Sequence, residues 1–125
     1  MACRIRAKIH ERIGSSFFSI TSDGWSQPTK SPQLLRFEFS PVLQFIIIHL
    51  FLSITIHTVD DTFRRHDMVL ASLCMNEIRH TGQNIADKTR ECLIKNELML
   101  EKIVCCVRDD ARNMQSASLE LGIER

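Results

Sequence analysis

From Leu50 to Thr58 apolar and polar residues alternate: Leu50, Leu52, Ile54 and Ile56 fall on one side, Phe51, Ser53, Thr55 and His57 on the other. A period of two is the repeat of a β-strand, whose successive side chains point to opposite faces of a sheet. The run around it, VLQFIIIHLFLSITI at residues 42–56, is the most apolar part of the chain. Crossing a bilayer as a helix takes about 20 apolar residues for a core of roughly 30 Å. This run is shorter, is interrupted by Gln44, His49, Ser53 and Thr55, and is rich in β-branched isoleucine, so it belongs to a sheet rather than to a membrane.

The rest of the chain supplies partners for that strand. Residues 4–13, RIRAKIHERI, place Ile5, Ile9 and Ile13 at four-residue spacing among basic residues, which predicts a short amphipathic helix ended by Gly14. FFSITSDGW, residues 17–25, alternates and closes on Asp23-Gly24, a turn pair, and so predicts a strand with a carboxylate at its C-terminal end. Asp60-Asp61 followed by TFRRHDMVLASL predicts a hairpin into a third strand. Thr81 is a good N-cap for a helix carrying Ile85, Cys92 and Leu93. KIVCCVRD, residues 102–109, reads as a buried strand, and the segment after it as a helix capped by Asp110 and stopped at Gly122.

That order predicts an α/β (α+β) domain with a mixed sheet: three antiparallel strands, a crossover helix, then a fourth strand parallel to the first. A chain of 125 residues has room for one such core. Sixteen basic against fifteen acidic residues give a net charge of +1, so no global field drives non-specific nucleic-acid binding, and any such contact must be local. The five cysteines, Cys3, Cys74, Cys92, Cys105 and Cys106, form no CxxC pair, and no secretory signal opens the chain. A reducing, intracellular location is expected. Cys105 and Cys106 are adjacent in a strand and face opposite ways, which does not suit one zinc ion.

In this arrangement Asp23 and Asp109 stand at the ends of neighbouring parallel strands. Two carboxylates so placed suit Mg²⁺, which takes oxygen ligands and commonly one or two from protein. A metal pair about 4 Å apart is a phosphoryl-transfer device, and a third acidic group normally completes it. The plainer reading makes Asp23 a turn residue and Asp109 a second cap beside Asp110.

Four blocks weigh in the other direction. FFSITSDGWS (17–26), FLSITIHTVDD (51–61), HTGQNIA (80–86) and VRDDARNM (107–114) resemble, in order, segments of the RNase H-like catalytic domain of hAT-superfamily DNA transposases. They are also similar to domesticated relatives described as BED-type zinc-finger proteins. The resemblance implies Asp23 and Asp109 as catalytic, metal-binding carboxylates, Mg²⁺ or Mn²⁺ as cofactor, DNA as partner and the nucleus as location. It places Trp25, His57, Asp110 and Asn113 near the site. Asp110 stands where the family more usually has asparagine, which favours it as the helix cap and Asp109 as the ligand. Trp25 is expected to buttress the loop after Asp23, or simply to pack. His57 is expected to make a structural hydrogen bond rather than a metal bond.

The departures define the expected scope. Residues 31–50 match nothing in the family and read as an insertion, for which a retained intron or a mispredicted exon is the preferred source. The family's third acidic residue, its BED finger and its dimerisation segment are not found, so the chain is expected to be a fragment of one partial domain, 1–125, inactive alone. An unpartnered sheet edge is expected to promote self-association. The alternative is a domesticated, non-enzymatic interaction or DNA-regulatory module, since fold does not imply function. A small membrane-associated protein using residues 42–56 is the third reading, with Gln44 and His49 against it.

Overall fold

The computed structural model of the protein describes residues 2–13, 16–29, 47–75 and 79–123. The elements in order are α1 (Ala2–Ile13), β1 (Phe18–Thr29), β2 (Ile47–Val59), β3 (Arg65–Cys74), α2 (Gly82–Lys95), a 3₁₀ turn (Leu100–Lys102), β4 (Ile103–Val107) and α3 (Arg112–Glu120). The four strands form one sheet in the order β3-β2-β1-β4. β1 pairs antiparallel with β2, β2 antiparallel with β3, and β4 lies parallel to β1 on its other side. This is the mixed α+β arrangement that the alternation and the order of segments predict.

The alternation of β2 becomes a division between two faces. Leu52, Ile54 and Ile56 are at most 2% exposed, and with Phe18 and Ile20 of β1 they form the covered face. All three helices contribute to the cluster on that side: Ile9 and Ile13 from α1, Ile85 and Leu93 from α2, Met114 and Ala117 from α3. The odd-numbered positions, Ser19, Thr21 and Asp23 of β1 with Ser53, Thr55 and His57 of β2, lie on the opposite, more exposed face. A sheet with one buried and one wet face is what antiparallel pairing permits.

Local chemistry closes the elements. The hydroxyl of Thr81 accepts a hydrogen bond from the Asn84 backbone N–H at 3.3 Å and caps α2. Gly122, at φ 69°, sits in the left-handed region just past α3 and ends it. The β2–β3 connection is held by Asp60, whose Oδ1 accepts from Thr62 N (2.9 Å), Thr62 Oγ1 (2.7 Å) and Arg64 N (2.9 Å). α2 approaches α3 so closely at Gly82 that a Cβ there would stand 2.4 Å from the Ser116 side chain and 2.9 Å from Ala117 N. Only glycine fits without displacing a neighbour.

Two boundaries differ from the sequence reading. β1 does not turn at Asp23-Gly24; it runs on to Thr29, with Asp23 opposite Ser53 and Gly24 opposite Leu52. The turn preference of Asp-Gly is local and is overridden where a long partner strand continues alongside. Ile47 to Leu50 belong to β2, where they pair with Ser26 to Thr29 and extend the β1–β2 ladder beyond β3, while residues 30–46 lie outside the described residues. Gly14, the expected stop of α1, lies outside them as well.

Candidate functional site

The site lies where β4 stops. The β1–β4 ladder runs from Phe18–Ile103 to Thr21–Val107 and ends there. Two residues further along each chain stand Asp23 and Asp109, both exposed. Neither carboxylate has an ion-pair partner among the described residues. Asp23 is held in mid-strand by its pairing with Ser53, whose hydroxyl reaches the Asp23 carbonyl at 3.4 Å. Beyond Thr21, β1 has no paired neighbour on the β4 side among the described residues.

Asp109 is fixed by its own turn. Its Oδ1 accepts the Ala111 N–H at 3.1 Å, a side chain bonding the backbone two residues on. Arg108 braces this turn, donating from Nε to Ser118 Oγ (2.8 Å) and from Nη1 to the Asp109 carbonyl (3.3 Å). Asp110 is not the helix cap. The N-cap of α3 is Ala111, without a side-chain cap, and Asp110 takes part through its carbonyl, which accepts from Gln115 Nε2 at 3.0 Å. The helix starts one residue later than an Asp110 cap would need, and Asp109 closes a two-residue turn onto the Ala111 N–H just before it.

Asn113 ties the start of α3 to the segment before α2. Its Nδ2 donates to the His80 carbonyl at 3.1 Å, and its Oδ1 accepts from Met114 N at 3.0 Å. His80 in turn donates from Nε2 to the Met75 carbonyl at 3.2 Å. Between these groups and β1 opens a cleft of about 190 Å³, with Gly24, Trp25, His80, Ile85, Asp109 and Asn113 among its lining residues. Trp25 stacks on its cross-strand partner Phe51, with ring centroids 5.5 Å apart and planes 20° apart, and is still 42% exposed.

His57 is elsewhere. It lies on the open face of the sheet, where its Nδ1–H donates to Asp67 Oδ1 at 2.6 Å and its Nε2 is 2.7 Å from Thr21 Oγ1. The His57 hydrogen bond, then the Arg65 guanidinium at 2.7 Å, hold the Asp67 carboxyl below the usual carboxylate range. With both ring nitrogens engaged, His57 is a structural link between β1, β2 and β3.

Sequence reasoning named Asp109, Trp25 and Asn113 but missed Gly24, Phe51 and His80 as parts of the same cleft. Phe51 could be found only through register, because it is Trp25's partner in a ladder that no local pattern reveals. Among the described residues no group of three or more His, Cys, Asp or Glu is placed to hold a metal ion. No helix among them is long and apolar enough to cross a membrane. No family model matches the chain, and no curated protein matches it.

Proposed function

We propose that the chain is an RNase H-like module of the hAT transposase type, in which Asp23 and Asp109 hold a divalent cation, Mg²⁺ or Mn²⁺, against a DNA phosphate. The observation that carries this reading is the parallel β1–β4 register, which leads from the Thr21–Val107 pair to two exposed carboxylates on adjacent segments of the chain. Mg²⁺ keeps several waters and takes one or two protein carboxylates, so this pair suffices for one ion. A bound divalent cation supplies polarisation of a phosphate oxygen and a more acidic water. The protein's own residues position it. Ser53 pins the Asp23 backbone, Arg108 braces the Asp109 turn, and Asn113 ties the start of α3 to the segment before α2.

A second ion has no fixed ligand among the described residues, which supports the domesticated, DNA-binding alternative for the chain acting alone. In that form it binds a metal and DNA in the nucleus without cleaving. β4 ends the sheet with Val104 49% and Val107 57% exposed, an edge suited to self-association.

Calorimetric titration with Mn²⁺ tests the metal assignment. Saturable binding is expected for the parent chain and is lost in Asp23→Asn and in Asp109→Asn, while Asp110→Asn retains it. Asparagine at position 109 still accepts the Ala111 N–H, so the turn survives the substitution. Equal binding by all three variants would remove the two aspartates from the site.

A further inference from the structure

The cleft beside Asp109 presents something a metal site does not need. Trp25 is the single tryptophan of the chain, one face of its indole rests on Phe51, and 42% of the residue remains exposed. Leaving so large an apolar ring open to water forgoes the gain from burying it. An aromatic stack that keeps part of its indole exposed is the kind of platform on which unpaired bases stack in single-strand-binding proteins, whatever the base.

The surroundings fit such a ring. The cleft has apolar walls in Leu52, Met75 and Ile85, and polar groups in Asp109 and Asn113. The Asn113 amide uses one N–H on the His80 carbonyl and one lone pair on Met114 N–H. It therefore keeps a donor and an acceptor for the edge of a heteroaromatic ring, and Asp109 keeps its second oxygen. Gly24 leaves the way in clear, since a Cβ there would meet nothing nearer than the Phe51 carbonyl at 3.7 Å. A base inside a duplex cannot enter a cleft of this kind without being turned out of its stack. The net charge of +1 provides little attraction for a double helix as such.

We infer that this cleft holds one unpaired nucleobase of a DNA strand, stacked on the outer face of Trp25 with its edge toward Asn113 and Asp109. The inference rests on reading Asp23 and Asp109 as a DNA site, and it deepens that reading. A strand anchored by its base in the cleft brings its backbone to the adjoining carboxylates, so the preferred substrate is single-stranded or opened DNA.

The single tryptophan makes the test direct. The full chain is titrated in EDTA with a mixed-sequence single-stranded DNA 12-mer, with the same sequence as a duplex, and with a 12-mer lacking all its bases. Saturable quenching of the Trp25 emission is expected from the first, about tenfold weaker binding from the duplex, and no quenching from the abasic strand. Gly24→Leu, which fills the cleft from a position open to a side chain, should weaken binding of a dye-labelled single strand about tenfold while circular dichroism stays unchanged. Equal quenching by single strand and duplex, or by the abasic strand, overturns the inference. So does full affinity in folded Gly24→Leu. Because EDTA removes metal, failure here with Mn²⁺ binding intact sinks only the base-stacking inference, whereas stacking retained without Mn²⁺ binding sinks the metal assignment.

Discussion

β1 has two neighbours and is held by them very differently. On one side β2 accompanies it from Ser19–His57 through Thr29–Ile47; on the other β4 leaves it after Thr21–Val107. The long partnership keeps Asp23, Gly24 and Trp25 extended, and the early departure leaves one edge of those residues without a partner strand among the described residues. Stability thus comes from the β2 side and accessibility from the β4 side. A sheet interior with all its backbone groups paired has no room for a ligand, while an isolated strand has no rigidity to position one. The candidate site falls where the same strand is paired on one edge and, among the described residues, has no partner strand on the other.

The sharpest way to break this comparison is to cut into each region and compare the costs. Ile56, 0% exposed on the covered face of β2, should cost about 2–5 kcal/mol when truncated to alanine, by the loss of buried area and the cavity left behind. Trp25→Leu at the open end should cost distinctly less, since the residue is already 42% exposed. Chemical denaturation followed by far-ultraviolet circular dichroism reads both. A larger loss from Trp25→Leu than from Ile56→Ala would make the cleft a part of the core rather than an opening in it.

A smaller loss is expected at the joint between the two helices that flank the cleft. Gly82→Ala forces a methyl into the 2.4 Å approach to Ser116, with Ala117 N close behind, and should cost about 1–3 kcal/mol through overpacking. Because Asn113 bridges α3 to the His80 carbonyl two residues before Gly82, the same substitution should also weaken Mn²⁺ binding. Unaltered thermal stability in Gly82→Ala would show that α2 and α3 are free to shift apart.

The smallest effect is electrostatic and lies at the far end of the sheet. Asp60 is lowered well below the usual carboxylate range, first by the Thr62 hydroxyl and then by His66 and the Arg64 N–H. Asp67 is lowered by His57 and Arg65. For both groups the folded value lies below the unfolded one, so their contribution is present above the ordinary carboxylate value of about 4 and is lost as pH falls below it. Acid titration of stability should therefore steepen below about pH 4, and Asp60→Asn should flatten part of that slope. An unchanged profile in Asp60→Asn would mean that the β2–β3 turn does not need the carboxylate.

How much of this could be read from the residues divides along the same line. The covered face was legible because Leu52, Ile54 and Ile56 repeat every second residue, and the helix ends because Thr81 and Gly122 carry the chemistry of caps and stops. The open edge was less so. Asp-Gly prefers a turn, and only the presence of Leu52 and Ser53 opposite explains why none forms. Asp109 and Asp110 are equally good caps by residue type, yet neither serves, because α3 begins at Arg112 with Ala111 at its N-cap. Gly82 carries no sign in the sequence that another helix will press on it. Local patterns report what a segment prefers; the site depends on which segments meet.

The most direct test of the central claim is a crystal structure of the full chain grown or soaked in Mn²⁺, with the ion located by its anomalous scattering. A single Mn²⁺ bound by carboxylate oxygens of both Asp23 and Asp109, at about 2.1 Å as expected for a small hard divalent ion, is the predicted result. An ion held by Asp109 alone, or carboxylates of Asp23 and Asp109 turned to opposite faces of the sheet, would contradict it.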